Sequence, residues 1–481
     1  MNYSIIRYML GLVSFLTGIC MLLPLFIAVL YRENEGTAYL LCSSFCIILG
    51  LLLTLRKPNN TSFFAREGFF VVALSWVLIS LVGAMPFFVS GEFNSYTDAL
   101  FEIVSGFTTT GASVCNDVEA LSHSTLMWRS FSHWIGGMGV LVFLIALLPS
   151  TGGQTLYFMK AESPGPSVGK QVPRMQNTAK LLYIIFAALT FAEFVFLAFG
   201  DMNIFDALCA SFATAGTGGF GNYGDSMGSF STYTQVVITV FMMLFGINFN
   251  FYFLLIYKRS KEAFKIEEVK WYLSIYAIVV ALITLNITRL GGNLLTNLRD
   301  AAFQSASVMT TTGFCTVNFD NWPTFSKSLM ILLMIIGACA GSTGGGIKVS
   351  RIMIYLKSVK KELQHLVHPQ HIKVLSFEHK PLPHDVLRSA NIFLIAYCSI
   401  FIVSFIIVSL DNFDGTTTFT AVLATLNNIG PGLAKVGPVE NFDKFSDLSK
   451  FVFMFDMLAG RLEIFPMLVL ISPAAWARRK S

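Results

Sequence analysis

The chain has 481 residues, 54% of them hydrophobic and only 13% charged. A soluble globular protein carries about 25% charged residues, so a water-soluble fold is excluded and the membrane class remains. The net charge of +5 says little by itself, no nucleic-acid partner is expected, and eight scattered cysteines without a CxxC pair imply neither disulfides nor zinc.

In chain order, ten long apolar segments stand out at 8–30, 37–55, 69–89, 129–149, 180–199, 233–257, 271–289, 328–355, 391–410 and 451–473. A helix needs about 20 apolar residues to cross the hydrocarbon, so these segments are expected to span it. The first lacks a small-residue cleavage site after it and reads as a permanent span rather than a signal peptide. With the N-terminus in the cytoplasm, the inner loops hold 24 of the 33 lysines and arginines, among them the 56–66, 160–180, 258–270 and 348–388 segments and the tail Arg478-Arg479-Lys480. Positive residues collect on the cytoplasmic side, which supports this orientation for both termini. Arg461, in the middle of the last segment, fits neither side.

Four of the outer gaps do not simply turn. They contain "DALFEIVSGFTTTG", "DALCASFATAGTGG", "DAAFQSASVMTTTG" and "TTFTAVLATLNNIG". Asp98 to Gly111, Asp206 to Gly219, Asp300 to Gly313 and Thr417 to Gly430 are each 13 positions apart, an internal repeat carried by register rather than identity. Such stretches are too short to cross, so each reads as a re-entrant helix ending in a glycine turn. The aspartates suit caps at the positive helix start, a whole helix away from the glycines. The expected architecture is an all-α integral membrane protein with two N-terminal spans in 1–66. Four units of span, pore helix, filter loop and span follow, at 67–160, 161–264, 265–365 and 366–481.

Non-helical backbone at membrane depth is tolerated only where it is buried in protein or lines a watery cavity. Four such loops can surround one axis, with negative helix C-termini turned toward it, which favours a cation. The candidate filter is Thr109, Thr110 and Gly111; Thr217, Gly218 and Gly219; Thr311, Thr312 and Gly313; and Asn428, Ile429 and Gly430. Ranks of carbonyls that replace an ion's hydration shell are how potassium filters work, and glycine permits the dihedrals that aim them. Turns or helix-packing points would be the plainer reading of one such glycine, but four loops in a common 13-residue register argue against it. In the second loop Gly216, Gly218 and Gly219 compete for the filter position, and counting from Asp206 selects Gly219.

The chain resembles the membrane subunits of the bacterial Trk potassium uptake system, within the Trk/Ktr/HKT superfamily. The likeness runs nearly end to end through "REGF" at 66–69, "TTTGAS" at 108–113, "HWIGGMG" at 133–139, "KAESPGP" at 160–166 and "GGFGN" at 218–222. It continues through "GACAGSTGGGIKV" at 337–349, "ELQHLVHP" at 362–369, "ATLNNIGPGL" at 424–433 and "GRLEIF" at 460–465. The resemblance implies potassium ion as the transported species without an organic cofactor, and a pseudo-fourfold pore in each subunit. It also implies a homodimer in the bacterial inner membrane and a cytosolic nucleotide-binding regulatory subunit of the TrkA type. Each loop shares only one clear glycine with its counterparts, so strict potassium selectivity is not implied by the loops themselves.

Gly341, Ser342, Thr343, Gly344, Gly345 and Gly346 interrupt the eighth apolar segment. Each glycine costs a helix about 1 kcal/mol relative to alanine, so an unwound loop acting as a gate beneath the filter is expected there. The alternative is helix packing through the ladder of Gly337, Gly341 and Gly345. Arg461 is a second gate candidate, either facing the pore against the carbonyls of this break or tied to another span. His365, His368 and His371 are spaced by three but lack a fourth ligand, and read as a solvated loop. Glu102, Glu193 and Asp456 are intramembrane acids without an assigned role. An intramembrane enzyme would need a motif such as HExxH, which the sequence does not contain. Passive conduction and proton- or sodium-coupled symport are not separated by sequence.

Overall fold

The computed structural model describes residues 2–58, 65–139, 175–369, 374–378 and 380–476. The "KAESPGP" string, most of the 160–180 linker, the second half of the 129–149 segment, His371 and the basic tail lie outside the described residues.

The chain opens with α1 (Tyr3–Cys20), α2 (Leu22–Tyr31) and α3 (Gly36–Thr54). Helices α1 and α2 form almost one helix, interrupted at Met21, just before Pro24 removes a backbone donor. Helix α1 packs closely on α3 through small residues. A Cβ on Gly50 would lie 2.6 Å from the Phe15 nitrogen, and Ser43 Oγ donates to the Gly18 carbonyl at 2.8 Å.

Four units follow. The first is α4 (Ala65–Val89), α5 (Tyr96–Phe107) and α6 (His123–Gly137). The second is α7 (Met175–Ala198), α8 (Ile204–Gly216), α9 (Thr232–Phe245) and α10 (Phe249–Ile256), joined by the single turn α11 (Ser260–Ala263) to the third. The third is α12 (Glu267–Thr288), α13 (Leu294–Met309), α14 (Thr324–Ile336) and α15 (Val349–Val367), followed by a hairpin of β1 (Ser376–Phe377) and β2 (Lys380–Pro381) paired antiparallel. The fourth is α16 (His384–Val408), α17 (Gly415–Leu426), α18 (Asp447–Arg461), α19 (Phe465–Ile471) and α20 (Pro473–Trp476).

Among the described residues six helices are long and apolar enough to cross a membrane, or seven if the bent α9–α10 pair is one span. The second long segment of each unit is not one unbroken helix where the structure describes it. Helix α9 meets α10 at 88°. The 328–355 segment is interrupted, as its glycine run implied: α14 stops at Gly337, whose φ of +67° is left-handed, and helix resumes only at Val349. Helix α18 stops where Glu463 and Ile464 take φ of +57° and +70°, and Pro466 in the first turn starts α19. Helix α6 ends at Gly137, at the corresponding place. Apolar composition alone does not reveal these breaks, because the residues on both sides are apolar whichever way the backbone runs.

The expected aspartate caps also need correction. The caps of the short helices are Ser95, Asn203, Asn293 and Asp414, each accepting from a first-turn N–H. Asp98 and Asp206 sit three residues further on, where each accepts from the cap's side chain, Ser95 Oγ at 2.9 Å and Asn203 Nδ2 at 2.8 Å. Asp300 lies well inside α13, which starts a turn earlier than its counterparts, and pairs with Arg299 at 2.8 Å.

Candidate functional site

The four short helices end alike. Thr110, Gly218, Thr312 and Ile429 donate to the carbonyls five residues back, at 2.9, 2.8, 2.8 and 2.9 Å. The preceding residues Thr109, Thr217, Thr311 and Asn428 bond three residues back and hold φ of +56° to +58°. This is a Schellman ending with a side chain where glycine is usual. Left-handed backbone is easy for asparagine but strained for a β-branched threonine, so three of the four loops store strain. In both TTTG copies the outer threonine hydroxyls bond each other, Thr108 to Thr110 at 2.9 Å and Thr310 to Thr312 at 2.7 Å.

One residue later comes the glycine. Gly111, Gly219, Gly313 and Gly430 have φ of +78°, +78°, +89° and +92°, which selects Gly219 among the three glycines of the second loop. A Cβ on Gly111 would meet the Gly218 carbonyl oxygen at 1.9 Å, and one on Gly219 the Thr312 oxygen at 2.0 Å. One on Gly313 would meet the Ile429 oxygen at 2.2 Å, and one on Gly430 the Thr110 oxygen at 2.8 Å. Each glycine thus seats against the carbonyl before the glycine of the next loop, and the fourth returns to the first. The loops close a ring around one axis, with the negative ends of α5, α8, α13 and α17 gathered at it. On the outer side the ring opens into a cavity of about 160 Å³ lined by all four glycines.

Behind the ring, each loop is pinned to its own helix at the third residue after the glycine, by a different device each time. Glu102 accepts from Val114 N at 3.0 Å and from Ser113 Oγ. Asp206 accepts from the Asn222 side chain at 2.8 Å and Tyr223 Oη at 2.7 Å. Gln304, with its amide oxygen turned to the loop, accepts from Thr316 N at 2.8 Å. Thr420 Oγ1 accepts from Leu433 N at 3.0 Å. Glu102 and Gln304 both lie nine residues before their glycine, a spacing readable in the sequence but overlooked.

Two groups of α6 tie the first loop to the second. Arg129, 2% exposed, pairs with Glu102 at 2.7 Å, and its guanidinium lies 4.1 Å from the Phe220 ring centroid. His133 Nδ1 donates to the Gly106 carbonyl at 2.8 Å, while Nε2 accepts from Phe220 N at 3.3 Å, which fixes the neutral tautomer. The other two unassigned acids are fully buried. Asp456 accepts from Ser404 Oγ at 2.8 Å, and Glu193 lies beside Thr214.

Residues 337–348 run as non-helical backbone directly beneath the third and fourth loops. Gly345 N donates to Thr311 Oγ1 at 2.6 Å. A Cβ on Gly344 would lie 2.8 Å from the Thr310 carbonyl, and one on Gly345 2.5 Å from that of Asn427. The glycines allow close approach to the backbone of the third and fourth loops, which packing along a continuous helix would not require. Lys348, 2% exposed, donates to the Gly344 and Gly345 carbonyls, and Ser342 Oγ to Cys339 O at 2.7 Å. Arg461 NH1 donates to the Thr343 carbonyl at 2.7 Å, while NH2 reaches Gly137 O at 2.6 Å and Gly136 O at the end of α6. One guanidinium thus bonds both the break and the end of α6 in another unit. Lys348 carried no signal in the sequence beyond being a lysine next to the glycines.

His365 lies in the last turn of α15 and His368 ends it, and among the described residues no group of three or more His, Cys, Asp or Glu could hold a metal ion.

Comparison with known proteins agrees in three ways. The TrkH family model, described as a cation transport protein, matches residues 36–478. The chain is 37% identical over 487 residues to the Trk system potassium uptake protein TrkH of Salmonella typhimurium, covering 99% of this chain and 100% of that one. It is 32% identical to the Trk system potassium uptake protein TrkG of Escherichia coli, with 99% of each covered. The crystal structure of the potassium transporter TrkH from Vibrio parahaemolyticus superposes with a TM-score of 0.89 at 33% identity, covering 99% of this chain and 100% of that one. The ring of four re-entrant loops thus sits in an all-α, multiply spanning membrane protein, and the chain belongs to the TrkH family of cation transport proteins.

Proposed function

We infer that this chain carries potassium ions across the membrane along the axis enclosed by its four loops. The observation that carries the reading is the cyclic seating of each loop's glycine against the carbonyl of the next, which brings main-chain oxygens of all four units together. Such oxygens substitute for the hydration shell of a dehydrating cation. The filter is the three residues ending at each of Gly111, Gly219, Gly313 and Gly430. The relatives' description as potassium uptake proteins supports potassium as the cargo. Beneath the filter, Gly341–Gly346 obstructs the path as a gate, and Arg461 holds it while opposing cation passage. The protein works as a homodimer in the bacterial inner membrane, each subunit with its own pore and both termini in the cytoplasm. The lysine- and arginine-rich inner loops support that orientation. A cytosolic nucleotide-binding subunit of the TrkA type supplies the gating signal.

The test is potassium uptake into proteoliposomes, with and without an imposed proton gradient. Uptake should follow the potassium gradient alone. Uptake that disappears without the proton gradient would replace passive conduction by coupled symport, and no uptake under either condition would refute the reading.

A further inference from the structure

The ends of the glycine-rich segment converge on one side chain outside it. Glu268, in the first turn of α12 and 3% exposed, accepts at a single oxygen, Oε1, from Ala340 N at 2.7 Å and from Ser350 N at 3.1 Å. Ala340 precedes Gly341–Gly346, and Ser350 is the second residue of α15, which follows it. The same carboxylate therefore grips the segment before and after its glycines and complements the positive start of α15. Its other oxygen faces Asn248 Nδ2 at 3.4 Å, at the break between α9 and α10, where Phe249 N donates to the Gly341 carbonyl at 2.9 Å. A carboxylate this deeply buried is tolerated because charge-assisted bonds and a helix start replace its water.

The start of α12 is itself held from the cytoplasmic side. Glu378, in the turn of the β1–β2 hairpin with φ of +51°, accepts from Glu267 N at 3.0 Å and Glu268 N at 3.1 Å. Lys357 of α15 bonds Glu267 Oε1 at 2.5 Å and the Ser376 carbonyl at 3.1 Å. One carboxylate caps α12, and the next, on α12, caps α15 and clasps the loop. The two caps form an unbroken line of hydrogen bonds from the hairpin to the segment beneath the filter.

We propose that Glu268 is a positioning residue that latches Gly341–Gly346 across the pathway, and that the Ser376–Pro381 hairpin, through Glu378, is the handle by which a cytoplasmic pull releases it. The proposal rests on the reading of Gly341–Gly346 as the gate. Moving the hairpin withdraws the cap from α12, shifts Glu268, and frees both ends of the loop together. Two converging bonds on one oxygen make the release concerted.

The experiment uses the full-length protein in proteoliposomes without a cytosolic partner and measures potassium flux. The variants are Glu268→Ala, Glu268→Gln, Glu378→Ala and the deletion of Gly341–Gly346. Cys339, fully buried beside Ala340, supplies a second readout through maleimide labelling followed by mass spectrometry. Losing two charge-assisted bonds should raise the Glu268→Ala flux by about tenfold or more and expose Cys339. Glutamine restores most of the block, since its carbonyl can take both bonds at the Oε1 position. Glu378→Ala should give a smaller rise, about threefold, because Glu268 itself remains. A folded Glu268→Ala with ordinary flux and a protected Cys339, beside a deletion that conducts, would overturn the latch and leave the gate standing. If neither it nor the deletion conducts more, the gate reading falls too. A glutamine variant as leaky as alanine also overturns the latch. Should Glu268→Ala not fold, unchanged flux and labelling in Glu378→Ala overturn the handle and its link to the loop.

Discussion

Replacing Gly313 with serine tests the ring most directly. The φ of +89° at Gly313 lies on the left-handed side, where a β-carbon costs about 1–2 kcal/mol. The new carbon would also sit 2.2 Å from the Ile429 oxygen, where ordinary contact begins at 3.4 Å, so that oxygen must retreat by roughly an ångström. Ile429 belongs to the glycine loop of the fourth unit, so strain at one loop is passed to its neighbour. An effect of about 1–2 kcal/mol is a factor of roughly 5–30 in an equilibrium, and the potassium-to-sodium permeability ratio should fall by that order. The geometry also predicts an order among the four positions. A Cβ on Gly430 meets the Thr110 oxygen at 2.8 Å, against 1.9, 2.0 and 2.2 Å at Gly111, Gly219 and Gly313, so Gly430→Ser should be the mildest of the four. The assay is the reversal potential of reconstituted protein under mixed potassium and sodium gradients. Unchanged ratio and flux in an assembled Gly313→Ser protein would refute the argument, as would a Gly430→Ser variant more damaged than the rest.

If Arg461 gates the path as proposed, Arg461→Ala should raise potassium flux without a cytosolic partner, because it releases the Thr343 carbonyl. Arg461→Lys keeps the charge but not the fork that reaches Thr343, Gly136 and Gly137 together, so it should retain part of the block; a folded alanine variant conducting no faster would make the arginine a structural tie only. Glu102→Ala leaves Arg129 buried without its partner, a change that costs about 3–5 kcal/mol. Thermal unfolding in detergent should therefore start well below that of the unaltered protein, and Glu102→Gln, which can still accept from Val114 N, should lose less; equal melting of all three would show that the pair does not hold the loops.

The sequence by itself determined the class of this protein and the register of its four glycine loops. Apolar segments of spanning length announce a membrane protein because hydrocarbon leaves no other solvent for them. The 13-residue register located the four glycines, because all four short helices close in the same turn, with the glycine two residues beyond the one at φ of +56° to +58°. The second left-handed position, at Thr109, Thr217, Thr311 and Asn428, was not legible, since threonine at positive φ contradicts its own preference and only the surrounding structure enforces it. Nor were the breaks in α9–α10 and α18–α19, because apolar composition reports burial and not backbone path. The partners of Glu102, His133, Glu268 and Arg461 lie between 11 and 325 positions away along the chain. Periodicity carries information over one or two helical turns. Which carboxylate meets which distant N–H is settled only when four units close around a common axis and buried polar groups must find partners within the protein.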